Sequence, residues 1–116
     1  MGRRERLPRI RSGMGQTLLS KPELVDQIKR DMLVGEFRFE SPEARIFGWK
    51  DARGTHYISE GHHRVVAALE LDWESGDRSH LDRLLACGIW QPSPPPKNRR
   101  LPTRSLWSRL LYRIGF

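Results

Sequence analysis

A single cysteine, Cys87, occurs in 116 residues. One thiol makes neither an internal disulfide nor a cysteine-built metal cluster, so disulfide scaffolds, zinc ribbons and zinc knuckles are excluded and the fold must stand on packing. Within LLACG that cysteine is expected to be a small buried apolar residue and not a nucleophile. Long apolar runs are missing as well: nothing approaches the roughly 18 residues of a membrane span. The early Arg3, Arg4 and Arg6 lead into Pro8 and polar residues, not into a signal-peptide apolar stretch. A soluble chain with no membrane span is the expectation. No repeat with a period of about 20–50 residues is found, and the length has room for one domain.

Acid is absent from the C-terminal segment and nearly so from the N-terminal one. Residues 1–11 hold five Arg and one Glu, and residues 97–116 hold six bases and no acid. The span between them carries ten bases and thirteen acids, so the net charge of +7 lives in the two terminal segments and not in the middle. Of the 21 basic residues 17 are Arg, the side chain that grips phosphate with two parallel donors. Basic terminal segments suit nonspecific phosphate contact through counterion release; they also serve as solubilising tails.

The punctuation of the middle is readable. Ser20 reads as an N-cap, Pro22 as a first-turn residue and Glu23 as the return arm of a capping box. The helix they open should run to about Val34, with Leu24, Ile28 and Met32 on its apolar stripe, Val25 and Leu33 beside them, and Gly35 ending it. Phe37 and Phe39 suggest a short extended stretch. Ala44–Trp49, a turn at Asp51–Gly54, and Thr55–Ser59 read as a hairpin. Gly61 then breaks the strand, and a broad-faced helix is expected from His63 to about Glu74, closed by Ser75, Gly76 and Asp77. Ser79 can cap a short helix that ends at Gly88, and Ile89 and Trp90 can add a last strand. QPSPPPK, from Gln91 to Lys97, imposes an extended, poorly packed linker. Beyond it, Ser105–Ile114 is amphipathic; docking on the core is the expectation, since it is too short to stand as an isolated helix, with an anionic membrane surface or a partner as alternatives.

The chemistry concentrates in Tyr57–Leu69, YISEGHHRVVAAL, where a strand ends, a glycine turns and a helix begins. First-turn amides of a helix are unpaired and carry partial positive charge, Gly61 permits close backbone approach, and Arg64 can fork two donors onto one phosphate. An imidazole of His62 or His63 can move protons near neutral pH, as phosphodiester cleavage requires, and Glu60 can orient or assist. Structural roles fit the same residues: Glu60 as an acid favoured by the helix dipole, Arg64 as an ion-pair partner. Adjacent His62 and His63 diverge by about 100° on a helix, so one of them is expected to be structural. His56 is a secondary candidate, because its strand runs toward the glycine turn, and His80 is a lone histidine. A metal site from His62 or His63 with Glu60 and Glu43 is conceivable, but H-x-x-x-H and D-x-D spacings are absent, so no metal ligand is assigned and a divalent cofactor stays open.

ISEGHHRVVAALEL resembles the signature of the ParB N-terminal and sulfiredoxin-like superfamily, in which a strand, a G-x-[HR]-R turn and an Ala-rich helix form the nucleotide or phosphate site. The order of an early helix, a strand pair and the turn extends the likeness over residues 10–90. Sulfiredoxins carry a catalytic Cys immediately before the His-Arg pair; His62 stands there, so sulfinic acid reduction is not expected. ParB partition proteins have an Arg-rich turn and a following DNA-binding helical domain with no counterpart here. The sequence is most similar to ParB-like nuclease domains of bacterial polymorphic toxins.

The resemblance implies an α/β (α+β) single domain, a short mixed sheet flanked by helices. Its parts are a basic segment 1–11, a catalytic domain 12–90 and a Pro-rich linker with a basic amphipathic helix at 91–116. It implies a secreted antibacterial effector that cuts DNA or RNA in a target cell's cytoplasm and is neutralised by a cognate immunity protein. Gly61 and Arg64 would hold the phosphate, His62 or His63 act as acid or base, and Glu60 assist. Two alternatives stay open: an ATP- or CTP-binding phosphohydrolase or phosphotransferase using the same turn, and a nucleic-acid-binding module without catalysis.

Overall fold

Proline and glycine set the element boundaries in the computed structural model, which describes residues 9–15 and 18–102. The order is β1 (Ile10–Ser12), α1 (Pro22–Leu33), β2 (Phe47–Lys50), β3 (His56–Glu60), α2 (His62–Ser75), α3 (Ser79–Cys87) and β4 (Ile89–Gln91). Among the described residues three helices accompany one mixed sheet of order β1-β3-β2-β4, so the α/β (α+β) class expected from the sequence is the observed one. Among the described residues no helix is long and apolar enough to cross a membrane. The amphipathic stretch 105–114 and the arginines at 3, 4 and 6 lie outside the described residues.

α1 starts at Pro22, and Gly35 follows it in the left-handed region at φ 78°. The expected capping box does not form. Pro22 takes the first helical position, which moves the cap to Lys21, and no side chain caps the end. Val25, Ile28 and Met32 form the buried stripe, while Leu24 and Leu33 flank it at 40% and 63% exposure. No strand forms at Phe37–Phe39; instead Phe39 is buried edge-on against Phe37, with the Arg83 guanidinium 4.3 Å above its ring.

The hairpin is present and tighter than its sequence outline. Asp51 holds the turn by accepting from the Arg53 and Thr55 amides at 2.9 and 3.0 Å and from the Tyr57 hydroxyl at 3.0 Å. β2 and β3 pair antiparallel, with a register shift at Phe47/Gly48 just before β3 hands over to α2. Ile58 faces the helices, and every residue of α2 from Val65 to Asp72 is buried. A helix apolar almost all round must be enclosed, and α2 packs against both α1 and α3. Two of the charges within it, Glu70 and Glu74, are answered. Lys29 of α1 bonds Glu70 at 3.0 Å and Glu74 at 2.6 Å. Burial opposes the Lys29 charge, but the Glu74 and Glu70 hydrogen bonds outweigh it and hold the ammonium above its ordinary value.

β1 is not visible in the hydrophobic pattern, because its three residues lie among arginines. It joins β3 in parallel, and it begins inside the segment that composition sets apart as a basic terminus. The Pro-rich stretch is exposed at all but Pro95, as an extended and poorly packed segment should be, but its course is not legible in the sequence. After β4, at one sheet edge, the chain returns to β1 at the other. Pro95 and the Trp49 ring close over Gly13, and Ser12 and Arg99 exchange backbone hydrogen bonds of 2.7 and 2.9 Å. Leu101 packs on the core and Pro102 is fully buried. An extended proline run cannot extend the sheet as a regular strand, yet it lies well across one. It is a strap, not a departing linker.

Gly48 is the tightest point of the sheet. A Cβ there would stand 1.9 Å from the Tyr57 carbonyl oxygen and 3.0 Å from the Trp90 ring. Its absence lets Trp90, whose indole N–H donates to the Leu85 carbonyl at 2.9 Å, reach across β2 to the His56 ring at 4.6 Å. Gly48→Ala is expected to destabilise the protein by about 2–3 kcal/mol through overpacking. Urea unfolding should show a lower midpoint at unchanged slope; an unmoved midpoint would mean that the sheet spreads there without cost.

Candidate functional site

The junction from β3 to α2 turns on Gly61, at φ 104°, a conformation that L side chains rarely adopt. The turn is close-packed on one side: a Cβ at Gly61 would meet Ile46 Cγ2 at 2.3 Å and Arg64 Nη1 at 3.1 Å. Only glycine therefore lets the chain pass from the sheet into α2 at this point. Glu60, the last residue of β3, is exposed.

His62 is the first residue of α2 and points inward. It is 6% exposed, and its Nε2 lies 2.8 Å from Ser12 Oγ on β1. Ser12 is itself fully buried, and its Oγ accepts from the Met14 amide at 3.0 Å. Burial first, and then the neighbouring His63, push the His62 imidazole down to about 4, while the Ile58 carbonyl opposes the shift. Neutral and enclosed at pH 7, this ring bolts α2 to β1. Its side chain is enclosed, although the sequence puts it in the same motif as its neighbours.

His63, about 100° further round the helix, faces outward. The Lys21 amide donates to its Nε2 at 3.1 Å, which makes Nε2 the acceptor and leaves the ring proton of the neutral form on Nδ1. Its pKa is lowered, by burial first and then by the charges of Arg64 and Lys21, with Glu23 opposing. Arg64 donates from Nη1 to the Arg45 carbonyl at 3.1 Å, is lowered by burial, and feels Glu60 as an opposing charge.

The contact between Lys21 and His63 has a consequence for the local field. Lys21 caps α1 and His63 lies in the first turn of α2, while Lys29 meets Glu70 and Glu74 at the far ends of the same two helices. The helices therefore run side by side in the same direction. Their positive ends converge on His63, flanked by Lys21 and Arg64, and such a corner favours an oxyanion.

Other candidates fall elsewhere. His56 lies four residues back along β3, about 13 Å from Glu60, buried edge-on against Trp90, and its Nδ1 has no hydrogen-bond partner among the described residues. Burial first, and then Lys50, lower its pKa. His80 stacks on Phe39. Cys87 is partly buried against the core. The ligand set considered from His62 or His63 with Glu60 and Glu43 is not assembled, and among the described residues no three His, Cys, Asp or Glu side chains group to hold a metal ion. Lys21 and Ser12 are site residues that the sequence does not mark. Their partners stand 42 and 50 positions away, and only Pro22, at the start of α1, hints at the first.

Comparison with protein-family models, with curated proteins and with solved structures finds no match.

His62 makes a prediction about acid stability. The folded ring binds its proton more weakly than the unfolded one, so between about 6.5 and about 4 the unfolded chain takes up more protons. The stabilisation is complete above 6.5 and is lost as pH falls toward 4. From about pH 7 to about pH 5 the loss should be roughly 2 kcal/mol. His62→Gln, which keeps an acceptor for Ser12, should flatten the urea-midpoint profile over that range by the same amount. Equal profiles for the two proteins would show that the ring titrates as if exposed.

Proposed function

We propose that the chain is a nuclease domain, cutting phosphodiester bonds of DNA or RNA at the corner formed by His63, Arg64 and the first turn of α2. The observation that carries this is the convergence of two helix N-termini on His63, with Lys21 and Arg64 beside it. Amides of the first turn, the Nδ1–H of His63 and the Nη2 side of Arg64 are the donors for a phosphoryl group; the Nη1 side of Arg64 stays with Arg45.

The proton transfers then divide between two side chains. Glu60, an exposed carboxylate next to the glycine turn, takes the proton of the attacking water or hydroxyl. His63 donates toward the leaving oxygen. His62 holds α2 against β1 and touches no substrate. The resemblance to ParB-like toxin domains gives the setting: a secreted effector, active in the cytoplasm of a target cell and silenced by an immunity protein, whose expected character against a chain of +7 is acidic.

Purified protein incubated separately with plasmid, total RNA and nucleoside triphosphates, each with and without EDTA, tests this directly. Cleavage of plasmid or RNA is expected, and the EDTA arm reports any need for a divalent ion. His63→Ala and Glu60→Gln should each lower the rate by on the order of 10²-fold or more, whereas His62→Gln should flatten the acid-stability profile and leave the rate close to wild type. Turnover of triphosphates alone would replace the nuclease by a nucleotide phosphohydrolase. Binding without turnover of any substrate would leave a nucleic-acid-binding module.

A further inference from the structure

Two stretches of the sequence contain no Asp or Glu: residues 6–22 and residues 83–116. Sixty residues separate them along the chain, and the fold lays them side by side. The strap after β4 returns to β1, where Ser12 and Arg99 exchange two backbone hydrogen bonds. Arg11 fixes the adjacent position by donating to the side chain and carbonyl of Asn98. Lys97 lies against Gly15 on the other side of the bridge. Arg9, Arg11, Lys97, Arg99 and Arg100 are thus gathered along one sheet edge, and Lys97, Arg99 and Arg100 are exposed. Among the described residues no carboxylate forms an ion pair with any of these five.

We infer that this edge is a binding strip for the sugar-phosphate backbone of a nucleic acid, leading the polymer to the corner at His63. Its direction comes from Ser12, which pairs with Arg99 through its backbone and with His62 through its hydroxyl. The segment that carries Arg9 and Arg11 therefore reaches, through Ser12, the residue that precedes His63. A pitch of about 3.3 Å per residue along β1 spaces the charges of Arg9 and Arg11 by about 7 Å, close to the step between phosphates on one extended strand. Such a row serves a polymer and has no use for a mononucleotide, so the inference deepens the phosphodiester reading of the corner and rests on it for what happens there. The backbone pairing matters because it holds Arg99 and its neighbours on the strap in place without using their side chains, which stay available when phosphates arrive.

The test is binding of the full chain to fluorescein-labelled DNA and RNA oligonucleotides in EDTA, by anisotropy, over a series of salt concentrations. The triple variant Lys97→Gln, Arg99→Gln, Arg100→Gln is compared with a charge-matched control, Arg30→Gln, Arg38→Gln, Arg53→Gln. For the strip variant the slope of log affinity against log salt should become shallower by about 2–3, roughly 0.7–0.9 for each phosphate that is no longer neutralised. Its affinity at low salt should fall by at least tenfold, with the control close to wild type. Equal binding by strip variant and wild type overturns the inference, as does an equal loss in the control. No oligonucleotide binding by the wild type, with strip-dependent binding to phosphatidylserine vesicles instead, also overturns it. Strip-dependent binding with no cleavage of any polymer would uphold the strip while removing the nuclease; cleavage with strip-independent binding would do the reverse.

Discussion

The enclosure of α2 governs the rest of the molecule. A helix buried from Val65 to Asp72 has no solvent face, so its rotation about its own axis is fixed by the sheet, α1 and α3 together. That rotation decides the fate of the two residues at the start of the helix. Successive helical positions differ by about 100°; with Val65 inward, the first position points at β1 and the second at the start of α1. Adjacent histidines thereby acquire opposite characters, one a buried bolt and one a half-exposed donor. Packing, and not any property of imidazole, makes the distinction.

Glycine is needed on both strands of the hairpin, after β3 at the junction and within β2. Gly61 turns the chain where any side chain would strike Ile46, and Gly48 lets Trp90 lie across β2. Ile46 in turn is fully buried and accepts the Ile89 amide through its carbonyl. The core residue beneath the turn therefore also anchors β4, from which the strap departs. One close-packed point supports both the candidate site and the segment that lays positive charge along β1.

The parts of this arrangement legible in the sequence are those written in local pattern. Pro22 and Gly35 bound α1, Asp51 and Gly54 mark the hairpin, and the run from Val65 to Leu71 declares a buried helix. The β3–Gly61–α2 junction is legible for the same reason, since strand, glycine and helix are consecutive. What stays hidden is set by distance or by dilution. β1 has three residues and one aliphatic side chain, too little for a period-two signal. The strap is proline-rich, which locally means an extended chain and nothing about where it lies. The capping box fails because Pro22, two residues after the expected cap, claims the first helical position and shifts the frame. Which histidine faces outward depends on the angular setting of α2, and that setting is a property of three packed elements.

The same field that makes His63 a poor base in the free protein bears on when it can act. Arg64 and Lys21 disfavour its protonated form, and the Lys21 amide occupies Nε2. A phosphodiester seated between them, with its single negative charge, would offset part of those two charges, so the electrostatic depression of the ring would weaken. Burial and the Lys21 amide at Nε2 would still favour the neutral ring. On the proposed reading, His63 would take up a proton more readily when a phosphodiester is in place than when the corner is empty, releasing the Lys21 amide as it does so, which ties the supply of the acid to occupancy. His62 cannot follow the same course. Its depression comes chiefly from burial against β1, which a ligand at the outer corner leaves untouched.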